Sequence, residues 1–368
     1  MTDNAYLTII ISLVYLSECL FLLKKESVVI YAPFLNRMKF AFAEALPSTR
    51  GEHLFLCNPV PPFGMNFSAN FPSVAFSSKG ISIIGEVDIT LSYNDIRAVD
   101  FSGKTVSING KKILSAVSPL YAKFVAGTIS HLLTINDNAR EKHILDMIDD
   151  AFDVDSISRK FDTFRKFAYR LIIINSVIFV LIFIILPLML YFDLALRQYG
   201  KYLSVLLISL IINFYFYSKI HCCFFKEERE ERWTTIIIMF FSPLLAIRSH
   251  DFIAKNLLWR YHPAAVGSVL LDDKIRNVFC GRIVRDLMFP IGKEGRNKII
   301  SWFNEQLLAQ IAACLSRDYL SVDDLLKAPM PEDASIRTYC PRCLCQFTAA
   351  GGLCTDCGIE LKSIMRGK

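Results

Sequence analysis

A chain of 368 residues that is 53% hydrophobic, with a mean hydropathy of +0.38, is too apolar for an ordinary soluble enzyme, and the excess belongs in lipid. The formal net charge is only +6, and the basic residues are spread along the chain, so nucleic acid is not an expected partner. Eleven cysteines in a chain this long do not read as the disulfide framework of a small secreted domain, and a reducing compartment is expected for the soluble parts.

Residues 1–25 read as a first transmembrane helix. Tyr6 to Leu23 is almost wholly apolar, with Asp3 before it and Lys24 and Lys25 after it, the reverse of a cleaved signal peptide. Glu18 is an acid inside that span, and an intramembrane acid is a functional candidate.

Residues 50–137 change character. From His53 to Ser118 short apolar runs such as Val74-Ala-Phe, Ile81-Ser-Ile-Ile and Val87-Asp-Ile-Thr-Leu alternate with turn signals at Gly80, Gly85, Gly103 and Asn109-Gly110, which predicts antiparallel strands. Asn109-Gly110 accepts the positive φ angles of a two-residue hairpin turn. Pro119 to Leu133 carries Leu120, Phe124, Val125, Ile129 and Leu132 at helical spacing, with Ser118 as its expected N-cap. Strands closed by one amphipathic helix resemble the bacterial pleckstrin-homology-like domains, in which Leu91-Ser-Tyr-Asn-Asp-Ile-Arg-Ala-Val looks like a strand leading into a turn. The resemblance implies a small β-rich docking module, without the basic cluster that a lipid-headgroup site would need.

Residues 138–170 read as a charged connecting helix, with Ile144, Ile148, Phe152, Phe161, Phe164 and Phe167 on one face. Residues 171–218 then read as a transmembrane hairpin: Leu171 to Phe192, preceded by Arg165, Lys166 and Arg170, and Tyr202 to Ser218, followed by Lys219 and Lys226. Asn175 and Asn213 fall inside these spans and are expected to hydrogen-bond between helices. Residues 234–247 are apolar but short and broken by Pro243, so they read as an in-plane or re-entrant segment, with a fourth span as the alternative.

Residues 219–337 form an interfacial and cytoplasmic helical region in this reading. His221, Cys222 and Cys223, with His250, Asp251 and His262, offer donors for acid–base or metal chemistry at the membrane surface. Their spacing matches no hydrolase signature, and an ordinary interfacial helix explains them. Gly292-Lys293 lacks the upstream glycine of a phosphate-binding loop, because position 287 is leucine.

Residues 338–362 carry the most specific signal. Cys340-Pro-Arg-Cys343 and Cys354-Thr-Asp-Cys357 are two CxxC pairs, the spacing with which thiolates fill a structural tetrahedral zinc site. The runs CPRCLCQF and LCTDCGIEL resemble the zinc-ribbon family. That resemblance implies one structural zinc on Cys340, Cys343, Cys354 and Cys357, with Phe347 and Leu361 as a minimal core. Leu344 and Cys345 depart from the usual pattern, and Cys345 is a fifth thiol beside the set.

The basic residues flanking the spans place the N-terminus outside and the ribbon in the cytoplasm, a layout that suits a bacterial inner membrane. The expected fold class is therefore a membrane α-helical protein with a small cytoplasmic β-rich domain and a C-terminal zinc ribbon. The expected function is non-catalytic docking or assembly, with membrane lipids and a protein partner or a second copy as its contacts. A subunit of a transport or lipid-handling complex, and a membrane-interface enzyme using His250, Asp251 and His262, stay open as alternatives.

Overall fold

The computed structural model describes residues 6, 7, 9, 10, 13, 27–31, 64–68, 74–83, 89–115, 119–192, 196–226, 229–257, 260–270, 273–290, 297–317 and 320–364. Most of the first expected span, including Glu18, and the expected N-cap Ser118 lie outside the described residues. In chain order the strands are β1 (Ser27–Tyr31), β2 (Gly64–Ser68), β3 (Val74–Phe76), β4 (Gly80–Ile83), β5 (Ile89–Ser92), β6 (Val99–Ser102), β7 (Thr105–Ile108) and β8 (Lys111–Ser115). Helices follow: α1 (Pro119–Thr134), α2 (Asp137–Ala151), α3 (Val154–Val180), α4 (Leu186–Tyr191), α5 (Leu196–Phe224), α6 (Arg229–Phe241), α7 (Pro243–Ala246) and α8 (Ser249–Leu257). The chain ends in α9 (Pro263–Leu270), α10 (Asp273–Met288), α11 (Lys298–Ser316), α12 (Val322–Leu325), and strands β9 (Thr338–Tyr339), β10 (Gln346–Phe347) and β11 (Lys362–Ser363). Two compact units result, Met1–Ser68 with Ser158–Leu258, and Ala69–Ile157 with Trp259–Lys368.

In the second unit β3-β4-β5 and β6-β7-β8 are antiparallel three-stranded meanders. The β7–β8 turn is the Asn109-Gly110 turn expected from the sequence, with φ of 51° and 76°, the left-handed pair that matches strand twist. Asn109 also works through its side chain: Oδ1 accepts from Arg97 N–H at 2.8 Å and Ala98 N–H at 3.1 Å. That fixes the loop entering β6. Helix α1 packs on β6 and β7, burying Tyr121, Val125, Ile129 and Leu132.

The other meander is covered from far along the chain, since α11 packs on β3 and β4. Phe76 and Phe303 meet edge to face at 6.2 Å between ring centroids. Asn297 joins the two elements. Its Oδ1 caps α11 by accepting from Ile299 N–H at 2.9 Å, while its Nδ2 donates to Ser82 Oγ at 3.0 Å and Thr90 Oγ1 at 2.8 Å. Capping and sheet attachment are thus one side chain's work.

The connecting segment is two helices rather than one. Helix α2 ends at Phe152, and Asp153 caps α3 by accepting from Ser156 N–H at 2.8 Å. Ile144, Ile148, Phe152, Phe161 and Phe164 are buried, as their spacing predicts, whereas Phe167 is only half-buried.

Two helical runs, Val154–Tyr191 and Arg197–Phe224, are long and apolar enough to cross a membrane. The first passes through a π-helical turn at Leu181–Ile185. Pro187 follows directly; it has no N–H to donate back and its ring crowds the preceding turn, which widens the helix there. Both runs present exposed apolar stripes at helical spacing, Ile173, Val177, Ile184 and Leu188 on one, Leu203, Leu207, Ile211 and Tyr215 on the other. On these runs Leu171, Asn175, Ile178, Leu210, Asn213 and Tyr217 are buried, and Asn213 meets Asn175.

Candidate metal centre

Two turns of the same construction present the cysteines. In the first, Cys340 N–H donates to Cys345 O at 2.9 Å and Leu344 N–H donates to Cys340 O at 2.9 Å. In the second, Cys354 N–H donates to Ile359 O and Gly358 N–H donates to Cys354 O, both at 2.8 Å. Strand β9 is central, with β10 and β11 paired antiparallel on either side. It leads into the first turn, β10 leaves that turn, and β11 leaves the second, so the short sheet brings the turns face to face. The expected core is corrected here: Phe347 and Leu361 are only half-buried, and Ile336 and Tyr339 are buried instead. Tyr339 lies on the central strand, flanked on both sides, whereas Phe347 lies on an edge strand.

The sulfurs of Cys340, Cys343, Cys354 and Cys357 lie within 4.8 Å of one another, and Cys343 Sγ is 3.7 Å from Cys354 Sγ. Four sulfurs bonded to one zinc at about 2.3 Å in a tetrahedron stand roughly 3.8 Å apart. The set therefore fits a thiophilic dication such as zinc, with every coordination position supplied by protein sulfur. Among the described residues, no other group of three or more His, Cys, Asp or Glu side chains is close enough to share an ion.

Thiol chemistry agrees with a site that needs a cation. Burial pushes Cys340 up to about 11, against N–H donation from Cys343 and Arg342. Burial also raises Cys343, and it raises Cys357 together with the adjacent Cys343 thiol. Cys354 is lowered, because N–H groups of Cys357 and Asp356 and the neighbouring thiols more than offset its burial. Crowded thiols resist ionising together, and a central dication reverses that preference.

Cys345 is half-buried and serves the first turn through its carbonyl; its sulfur is not among the four that converge. A residue that the sequence did not single out fastens the turn to its unit. Arg342, between the first two cysteines, donates through Nη1 to Phe289 O at 2.8 Å and pairs through Nε with Asp286 Oδ1 at 3.0 Å. The only signal in the sequence was a basic residue inside a CxxC, which has no specific meaning.

The remaining candidates are placed as follows. In the first unit Asn175 Nδ2 lies 2.7 Å from His250 Nδ1. Asn175 Oδ1 accepts from Asn213 Nδ2 at 2.5 Å and from Ser249 Oγ at 3.1 Å. The donor and acceptor roles of the Asn175–His250 pair follow the imidazole tautomer. Asn213 Nδ2 also lies 3.0 Å from Ser249 Oγ and 3.2 Å from Ala246 O, so its two N–H groups have three acceptors in reach, while Asn213 Oδ1 is buried with no hydrogen-bond partner among the described residues. Asp251 follows on α8, and its side chain lies outside the described residues.

His262 belongs to the second unit. Its Nδ1 accepts from Ala264 N–H at 3.1 Å, capping α9, and its ring stacks on Phe152 at 4.6 Å. Burial lowers its pKa to about 3. Both imidazoles are fully buried, which corrects the expectation of a solvated interfacial pair: each is held by an amide partner that water would otherwise replace. His221 is buried beneath Tyr217 and Phe225, Cys222 contacts Arg232, and Cys223 is exposed. No family model, curated protein or solved structure matches this chain, so its assignment rests on its own residues.

Proposed function

We propose that this chain is a non-catalytic, membrane-anchored docking or assembly protein. In this reading the C-terminal cysteines form a structural zinc ribbon, and the two strand meanders with α1 form a pleckstrin-homology-like module. The observation that carries it is the pairing of a cysteine set with no open coordination position and two long helices whose outward stripes are apolar and uncovered. The first holds a surface rigid without offering chemistry. The second calls for lipid, because a contiguous apolar face of this length is not left in water.

Contacts inside the first unit support a re-entrant reading of residues 234–247. Helix α6 runs back along α5, with Arg232 on Cys222 and Phe240 6.5 Å from Phe214 between ring centroids. It breaks at Ser242-Pro243, and Ala246 and Ser249 then meet Asn213. Asn213 is about 9 Å along α5 from Lys219 and roughly 24 Å from Arg197. A break at that depth leaves most of the span uncrossed, which keeps the ribbon on the side of the basic flanks.

The test is extraction and photo-crosslinking in native membranes. The protein should resist alkaline carbonate and yield to detergent, and a photoreactive side chain at the exposed Leu353 should give a discrete cross-linked species that Cys354→Ser, Cys357→Ser abolishes. Release by carbonate, or a cross-linking pattern indifferent to the cysteines, contradicts the proposal.

One observation favours a second reading, a subunit of a transport or lipid-handling complex. The unpartnered Asn213 Oδ1 is an acceptor at membrane depth, where polar groups without partners mark ligand paths. Asn213→Leu would then abolish the physiological phenotype at normal protein level, and a silent Asn213→Leu removes this reading.

A further inference from the structure

The first cysteine turn is gripped from the helical body by a second arginine. Arg285, in the last turn of α10, donates through Nε to Arg342 O at 3.2 Å and through Nη1 to Leu325 O at 3.1 Å. It is buried, 9% exposed. Gly281, one turn earlier, makes the room: a Cβ there would stand 3.0 Å from Arg285 Nη1 and 3.5 Å from Leu325 O.

A guanidinium keeps its proton even when buried, so a full positive charge is held against the turn that carries Cys343. Burial lowers the Arg285 pKa, and the charge of Asp286 is the largest influence opposing it. Asp286 cannot neutralise its surroundings alone, because its carboxylate is already shared between Arg342 at 3.0 Å and Arg282 at 3.6 Å. Burying a cation without counter-charge is strongly unfavourable. The carbonyls of Arg342 and Leu325 are the partners that hold the buried guanidinium in place.

We propose that Arg285, together with Arg342, is a positioning residue of the metal centre: the pair clamps the first cysteine turn to the end of α10 and so couples metal loading to the docking of that turn. This rests on the zinc-ribbon reading above. With metal present, the turn and the end of α10 hold each other through Arg342 to Phe289 O and Arg285 to Arg342 O. Without it, the first cysteine turn loses its link to the second, and the end of α10 loosens with the turn.

The test uses the full chain in detergent, loaded with zinc and challenged with a chromophoric chelator. Partners that support metal ligands from outside typically contribute roughly 10–100-fold in metal affinity, so Arg285→Gln should release zinc faster by about that factor. Arg285→Lys, which keeps the charge, should recover part of the difference. Gly281→Ala, which crowds Nη1 without removing charge, provides a second variant should Arg285→Gln fold poorly, and it should release zinc faster in the same way. Amide exchange at 285–289 should rise when wild-type zinc is removed, and should already be raised in zinc-loaded Arg342→Gln. Wild-type release rates in both Arg285→Gln and Gly281→Ala, or exchange at 285–289 indifferent to zinc, overturn the coupling while leaving the metal site intact. Zinc content unchanged by Cys354→Ser, Cys357→Ser would overturn the metal site itself, and the coupling with it.

Discussion

Leu344 and Gly358 hold the same left-handed backbone conformation at equivalent positions of the two cysteine turns, with φ of 63° and 66°. Each N–H donates to the carbonyl of the first cysteine of its turn. The turn geometry demands that conformation, and glycine adopts it freely while an L side chain costs roughly 1–2 kcal/mol. Leu344 is therefore strained by the fold.

The two positions should respond in opposite ways. Nothing lies within 4 Å of a Cβ at Gly358, so the penalty of Gly358→Ala is conformational, about 1–2 kcal/mol. Leu344→Gly should leave the ribbon as stable or stabilise it by up to about 1 kcal/mol, since relief of strain is partly offset by a freer unfolded chain. Zinc retention during chelator challenge reads both. A loss in Leu344→Gly as large as that in Gly358→Ala would contradict the equivalence of the turns.

Asn175 should matter more to stability than Asn213. Asn175 serves His250, Ser249 and Asn213 at once, so Asn175→Leu strands several buried polar groups, each at a cost of about 1–3 kcal/mol. Asn213 carries an oxygen with no partner among the described residues, and removing it discards that penalty along with its bonds. Thermal unfolding in detergent should rank Asn175→Leu below Asn213→Leu. The reverse ranking would show that the network is not organised around Asn175.

His262 should make its unit acid-sensitive. Its folded pKa of about 3 lies below the ordinary 6.5, so the unfolded chain takes up the proton first as pH falls. Stability is complete above pH 6.5 and declines below it by about 1.4 kcal/mol per unit until the folded value is reached. His262→Asn keeps a side-chain acceptor for Ala264 N–H but does not titrate, so its unfolding temperature should depend less on pH between 6.5 and 4.5. Parallel curves for wild type and variant would remove His262 from the acid response.

The β meanders and the ribbon should share one side of the membrane. Lys104→Cys and Glu332→Cys, both at exposed positions, should resist a membrane-impermeant maleimide in intact cells and react after permeabilisation. Labelling at 332 without labelling at 104 would mean that residues 234–247 cross the bilayer.

What the sequence revealed was local. Asn109-Gly110 and the CxxC pairs encode turns within a few residues, and the 3.6-residue spacing of Val125, Ile129 and Leu132 encodes the buried face of one helix. What it hid depends on partners far along the chain. Nothing in the sequence singles out Asn297, whose amide holds Ser82 and Thr90 of a distant sheet. Nor does it single out Gly281, which leaves room for the Arg285 guanidinium. The departure at Leu344 was visible, but its strain was not, because a left-handed φ at that position is imposed by the whole turn.

The most direct measurement is the metal content of the purified full-length chain. Elemental analysis should find about one zinc per chain, as a closed four-sulfur site binds a single ion, and Cys354→Ser, Cys357→Ser should lose it while Cys345→Ser should keep it. A chain that folds with no zinc and takes none up, or a double variant that retains its full complement, would contradict the assignment.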